Sequence, residues 1–161
     1  MLRAMLLLLL ALTETILTTG GELPGPPEAT VAIRGDQIEA FGFAEVPGKS
    51  RLQAALALAD ANARAELLTA VRAGVAEAFK DVQTEDKQEV ERTTAQVAQG
   101  VLPGLPGPQH GWRRLRRDGE VVLQVWSRLT AQRSAVEAAL AKGVRPDVAK
   151  AAAALIKEKR K

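Results

Sequence analysis

The chain has 161 residues, no cysteine, a single histidine and a formal net charge of +3. That length suits one domain, and the inventory excludes thiol catalysis, a lipid-attachment cysteine, every cysteine-based metal site and zinc sites built on several histidines. Apolar residues make up 47% but include only three Phe, two Trp and no Tyr, so the packing between helix and sheet is expected to be thin and the stability modest.

The N-terminus has the pattern of an export leader. Arg3 supplies a positive start, Ala4 to Leu12 is an unbroken apolar run, and small residues follow at Thr18, Thr19, Gly20 and Gly21. A membrane span needs about 20 apolar residues, and Glu14 interrupts this run. A retained anchor and the first helix of a cytosolic domain are the alternatives. The Pro/Gly stretch from Leu23 to Pro27 favours a leader, because it separates the run from any core. The expected organisation is a signal peptide over 1–21, a spacer over 22–30, an α+β domain over 31–130 and a helical extension over 131–161. Cleavage is expected near Gly20 or Gly21, and the address is exported, periplasmic or associated with the outer envelope.

Val31 to Arg34 and Gln37 to Val46 flank Gly35-Asp36, the pattern of a two-residue hairpin. Ser50 and Gln53 have capping-box spacing at the start of a long helix. Within it Leu52, Leu56, Ala59, Ala63, Leu67, Ala70, Gly74 and Ala78 recur at three and four residues and form one stripe. Its small members predict close approach to a sheet. Asp60 and Arg64 have the spacing of a favourable surface pair, and Arg72 falls opposite the stripe. Thr84, followed by Glu85 and Asp86, is placed to cap a second, polar helix with Val90, Val97 and Ala98 as its main apolar residues. That helix is expected over an edge of the fold or as an arm.

Gly100 to Gly111 reads as a Pro/Gly loop leading to Trp112. Arg113 to Arg117, Asp118-Gly119 and Glu120 to Thr130 form the strongest hairpin pattern in the chain. Alternation puts Val121, Leu123, Val125 and Leu129 on one face, and Val122, Gln124, Trp126 and Arg128 on the other. Ser134 and Glu137 repeat the capping-box spacing, Lys142-Gly143 reads as a stop, and Pro146 suits the first turn of a last helix striped by Val148, Ala152, Leu155 and Ile156. From Arg145 to Lys161 six basic residues face two acidic ones. This tail therefore carries +4 and the rest of the chain −1. The fold class is α+β: a small antiparallel sheet of three or four strands packed by one long helix, with a second polar helix and C-terminal helices.

Chemistry is sparse. His110, in the Pro/Gly loop, reads as a solvent-exposed histidine rather than a general base, since Ser50 and Ser134 have capping roles and no nucleophile elbow exists. Six acidic residues between Glu77 and Glu91 lack the order of an EF-hand and read as a solvated face. Alternation splits Arg113, Arg114, Arg116 and Arg117 between two faces, so the segment reads as a charged edge strand that discourages aggregation. No catalytic, cofactor-binding or metal-binding residue is expected. Trp112, Arg114, Arg116, Trp126 and Arg128 are the candidate partner-binding residues, because Trp and Arg are favoured anchors. The competing arrangement has the last helix covering Trp126 with Leu155 and Ile156, and it is slightly preferred.

In order, these elements resemble the small bacterial envelope proteins of the LPP-twenty lipoprotein fold, also found at the N-terminus of the flagellar assembly protein T. The residues that carry the resemblance are Ala40-Phe41-Gly42-Phe43-Ala44, Ala57 through Leu67, Gly111-Trp112, Asp118-Gly119-Glu120 and Val121 to Val125, within Gln37 to Thr130. The lipobox cysteine is missing, so lipid anchoring does not carry over. The resemblance implies an envelope protein with no catalytic residues to transfer. The expected function is a non-catalytic, exported envelope module that binds another protein or is structural. Its partner is an envelope protein. The alternatives are a membrane-surface protein held by its basic amphipathic tail and, if not exported, a basic nucleic-acid-binding protein, which the leader argues against.

Overall fold

A computed structural model describes residues 14–81 and 87–161. Among them lie six strands and four α-helices in the order β1 (Thr15–Gly21), β2 (Ala29–Arg34), β3 (Gln37–Pro47), α1 (Leu52–Asp81), α2 (Lys87–Val101), a short 3-10 turn (Leu102–Gly104), β4 (Gln109–Arg117), β5 (Glu120–Gln132), α3 (Arg133–Leu140), α4 (Pro146–Leu155) and β6 (Lys159–Arg160). The sheet is antiparallel throughout, ordered β1-β4-β5-β3-β2-β6. The α+β class is as expected, but six strands replace three or four. Segments at both ends of the chain add strands: Thr15–Gly21 pairs with β4, and Lys159–Arg160 pairs with β2.

The two expected hairpins form. Gly35 turns β2 into β3 with φ +60°, and Asp118 and Gly119 turn β4 into β5 with φ of 52° and 85°, the pair of positive values that matches the twist of the flanking strands. On β5 the helix-facing residues Leu123, Val125, Ser127, Leu129 and Ala131 are buried. Strand β4 is not an edge, correcting the reading of the arginine segment, because β1 covers it.

Helix α1 crosses the sheet with the expected stripe inward. Ala59, Ala63, Leu67, Ala70, Gly74 and Ala78 are buried and Arg72 is exposed. The closest approach is at Gly42 of β3, where a Cβ would land on the α1 backbone at the Ala59 carbonyl and the Ala63 amide. Only glycine fits there. To one side of this contact Ala44, Ala55, Ala59, Leu123 and Val125 form a small cluster with half-buried Trp112. To the other side lies the main core, where Leu67, Val71 and Val75 meet Val31, Ile38, Val97, Val136 and Ile156.

Two caps differ from expectation. Helix α1 starts at Leu52, and the Ser50 amide closes a turn onto the Pro47 carbonyl instead of capping. At α3 the Ser134 hydroxyl donates to Asp36 Oδ2 at 3.2 Å, while the Arg133 amide donates to the Asp36 carbonyl at 2.7 Å. The hairpin turn thereby performs the capping, which a local spacing does not reveal. Thr84, Glu85 and Asp86 lie outside the described residues. Helix α2 is no arm, since Thr93, Val97 and Val101 are buried against the rest of the helical layer.

The last helix begins at Pro146 as expected and packs on α1, not on Trp126. A Cβ on Gly74 would meet the Ala152 carbonyl at 2.6 Å, and Ile156 lies beside it. The basic tail is tied down by Lys157 to Glu77 (2.9 Å), Lys159 to Glu66 (3.0 Å) and Lys161 over the Phe43 ring (4.5 Å). The amphipathic membrane helix requires a free tail, and this one ends as a strand.

Candidate interaction surface

Strand alternation and register divide the candidate residues between the two faces of the sheet. Trp112, Arg114 and Arg116 of β4 stand opposite Val125, Leu123 and Val121 on the helix-bearing face, while Trp126 and Arg128 of β5 stand opposite Gly111 and Gln109 on the other. They do not form one aromatic-basic surface.

On the helix-bearing face the Trp112 indole lies over Gly20 of β1; a Cβ there would meet Trp112 Cζ2 at 2.7 Å. The Arg114 guanidinium sits 5.8 Å from the Trp112 ring centroid, and its Nε donates to the Gly48 carbonyl at 3.1 Å. Arg116 is exposed and has no ion-pair partner among the described residues.

Trp126 is 1% exposed, so it offers nothing to a partner. Its cover is the chain just after β1. A Cβ on Gly111 would strike the indole and come 2.7 Å from the Leu23 carbonyl, and the Glu22 and Leu23 amides both donate to the His110 carbonyl, at 2.7 and 3.0 Å. The expected burial of Trp126 therefore occurs, with a different lid. Arg128 is engaged as well, donating to Gln109 Oε1 at 3.0 Å and lying 3.3 Å from Glu39 Oε1. The other oxygen of buried Glu39 is 2.9 Å from Arg34 Nε, a charge contact without hydrogen-bond geometry.

The same face carries a polar ladder toward its β1 end. Arg113 donates to Gln124 at 2.6 Å, Gln124 to Glu45 at 2.6 Å, and Arg117 to both Glu45 (2.8 Å) and Glu14 (2.7 Å). Donation from Gln124 holds the Glu45 carboxyl below its ordinary value; partial burial opposes this, and Arg117 and Arg113 reinforce it.

His110 corrects a sequence expectation. It belongs to β4, not to a loop, and its Nε2 lies 2.8 Å from Asp60 Oδ1. The Ser127 hydroxyl donates to the same oxygen at 2.5 Å. Asp60 thus turns inward to the sheet, where sequence spacing had assigned it to Arg64. These residue types match a hydrolytic triad, but the wiring does not. A triad needs serine bonded to histidine and histidine to aspartate, whereas here both groups converge on the carboxylate and the serine is fully buried. The trio pins α1 to β4 and β5. Its signal in the sequence was the position of Asp60 beside Ala59 and Ala63, at the margin of the buried stripe.

The neighbouring motif residue Asn62 also ties α1 to the sheet. Asn62 donates to the Phe43 carbonyl at 2.8 Å, satisfying β3 beyond Ala40, where its pairing with β2 stops. Among the described residues no group of three or more His, Cys, Asp or Glu is placed to hold a metal ion, and no helix is long and apolar enough to cross a membrane. Compared with protein-family profiles, curated proteins and solved structures, the chain finds no match in any of the three.

Proposed function

We propose that this chain is a non-catalytic, exported module of a bacterial envelope that acts by binding a protein partner. The N-terminal leader pattern and the resemblance to the LPP-twenty fold support the address. The wiring of Asp60, His110 and Ser127 as a structural pin supports a role without chemistry of its own.

The observation that carries the binding role is the contrast between the two edges of the sheet. At one edge β6 is two residues long and both are cationic, Lys159 and Arg160, a length and charge that resist pairing with another chain. At the other, β1 presents seven uncharged residues, with Ile16 57% and Leu17 43% exposed. Cleavage near Gly20 or Gly21 would remove this strand and leave β4 as the edge. In either form this end of the sheet keeps main-chain donors and acceptors available for an added strand.

Fractionation of the native organism with mass determination of the mature N-terminus tests the address. The expected product is in the envelope fraction and starts close to Gly21 or Glu22. A cytosolic product with intact Met1 would overturn the proposal.

A further inference from the structure

The structure assigns the outer edge of β4 as a strand-acceptor site, with Thr15–Gly21 as its resident occupant and an extended, acidic-to-glycine segment of a partner protein as its ligand. The inference names the site for the protein-binding role proposed above and rests on that reading. Four observations define what the site accepts. Strand β1 pairs antiparallel with β4 from Thr15 opposite Arg116 to Gly21 opposite Gly111, with one register shift between Ile16 and Thr18 that leaves Leu17 unpaired, so main-chain pairing holds it on both sides of that irregularity. At one end Glu14 accepts from Arg117 at 2.7 Å, a charge-assisted contact. At the other end the Trp112 indole lies over Gly20, leaving no room for a Cβ, and Gly21, at φ +96°, would carry a Cβ into the His110 carbonyl. Between them the Thr19 hydroxyl donates to the Trp112 carbonyl at 3.1 Å.

The site therefore selects an acidic residue at the Arg117 end and two consecutive glycines at the Trp112 end, six residues further on. Four arginines in β4, Arg113, Arg114, Arg116 and Arg117, make the bare edge repel a second copy of itself and attract an acidic strand. The clasp beyond β1 is independent of it. The Glu22 and Leu23 amides hold the His110 carbonyl, so a chain that begins at Glu22 keeps the cover of Trp126 while baring β4. Removal of the leader would then convert an occupied site into an open one.

The experiment uses the full chain and a fluorescently labelled peptide, Glu-Thr-Ile-Leu-Thr-Thr-Gly-Gly, which is the sequence of residues 14–21. In the wild-type chain the tethered strand competes at an effective concentration on the order of millimolar, so micromolar peptide should not bind. In the Gly20→Val chain the side chain collides with Trp112 and expels β1, and peptide binding should rise by at least about tenfold. Gly25→Val, at a position where a Cβ meets nothing within 4 Å, should behave as wild type. A peptide with lysine in place of glutamate should bind the Gly20→Val chain several-fold more weakly, and one with valine in place of the first glycine should not bind. Should Gly20→Val fail to fold, Gly20→Ala poses the same test with a smaller collision. A folded Gly20→Val or Gly20→Ala chain that ignores the peptide, or equal binding by the lysine peptide, overturns the acceptor site. Either result leaves the export reading standing, since that depends on the mature N-terminus.

Discussion

Single residues decide how close α1 comes to the sheet. Because the Ala59 carbonyl and the Ala63 amide lie directly over Gly42, Gly42→Ala should lift the helix and cost at least the roughly 1–3 kcal/mol typical of overpacking. Ala63→Leu should cost a similar amount, whereas Arg72→Ala, at an exposed position paired with exposed Glu91, should change stability by less than about 0.5 kcal/mol. Urea midpoints compare the three. The Asp60 pin gives a second ordering. Asp60→Ala strands the buried Ser127 hydroxyl and should cost about 1–3 kcal/mol; Ser127→Ala removes one donor, leaves the His110 contact and should cost less. Glu45 supplies the pH dependence. Its folded carboxyl titrates below the unfolded one, so its contribution is full above the unfolded value of about 4.3 and is lost as pH falls through the lower folded value. Chemical denaturation between about pH 5 and about pH 3 should accordingly show a shallower acid loss in Glu45→Gln than in wild type.

At the scale of elements, periodicity carried the fold where the elements are long or turn on glycine. The α1 stripe, the Asp118-Gly119 hairpin and the two faces of β5 were all legible, because each rests on a local period or a positive φ. What was not legible depends on distant partners. Thr15–Gly21 has the composition of a leader end, and only pairing with β4 some 93 residues away, as in the Thr19 to Trp112 bond, makes it a strand. Ser50 and Ser134 sat at ideal capping spacings, yet backbone turns took their places. Among the candidate binding residues, alternation together with the register set by the Asp118-Gly119 turn separates Trp112, Arg114 and Arg116 from Trp126 and Arg128, but the burial of Trp126 came from Leu23, which no local pattern announces. The lid follows a testable distinction. Gly111→Ala should displace the Leu23 segment and the indole beneath it, red-shifting tryptophan emission. Ile156→Ala should instead cost about 2–5 kcal/mol through the α1–α4 contact and leave the native emission unchanged, because α4 lies on the opposite side of the sheet from Trp126.

For the whole molecule, the helical layer, the basic tail and the chain after β1 all fasten onto the sheet, while β1 contributes to the fold only by pairing with β4 and supporting Trp112. The main core contains no β1 residue. On this reading β1 is a detachable edge on a sheet that is otherwise complete. Amide hydrogen exchange on the full chain, comparing wild type with Gly20→Val, tests it most directly. Protection is expected to fall in Thr15–Gly21 and along β4, while β3, β5 and α1 keep the protection of the intact core. Loss of protection throughout the sheet and α1, or no change along β4, would contradict it.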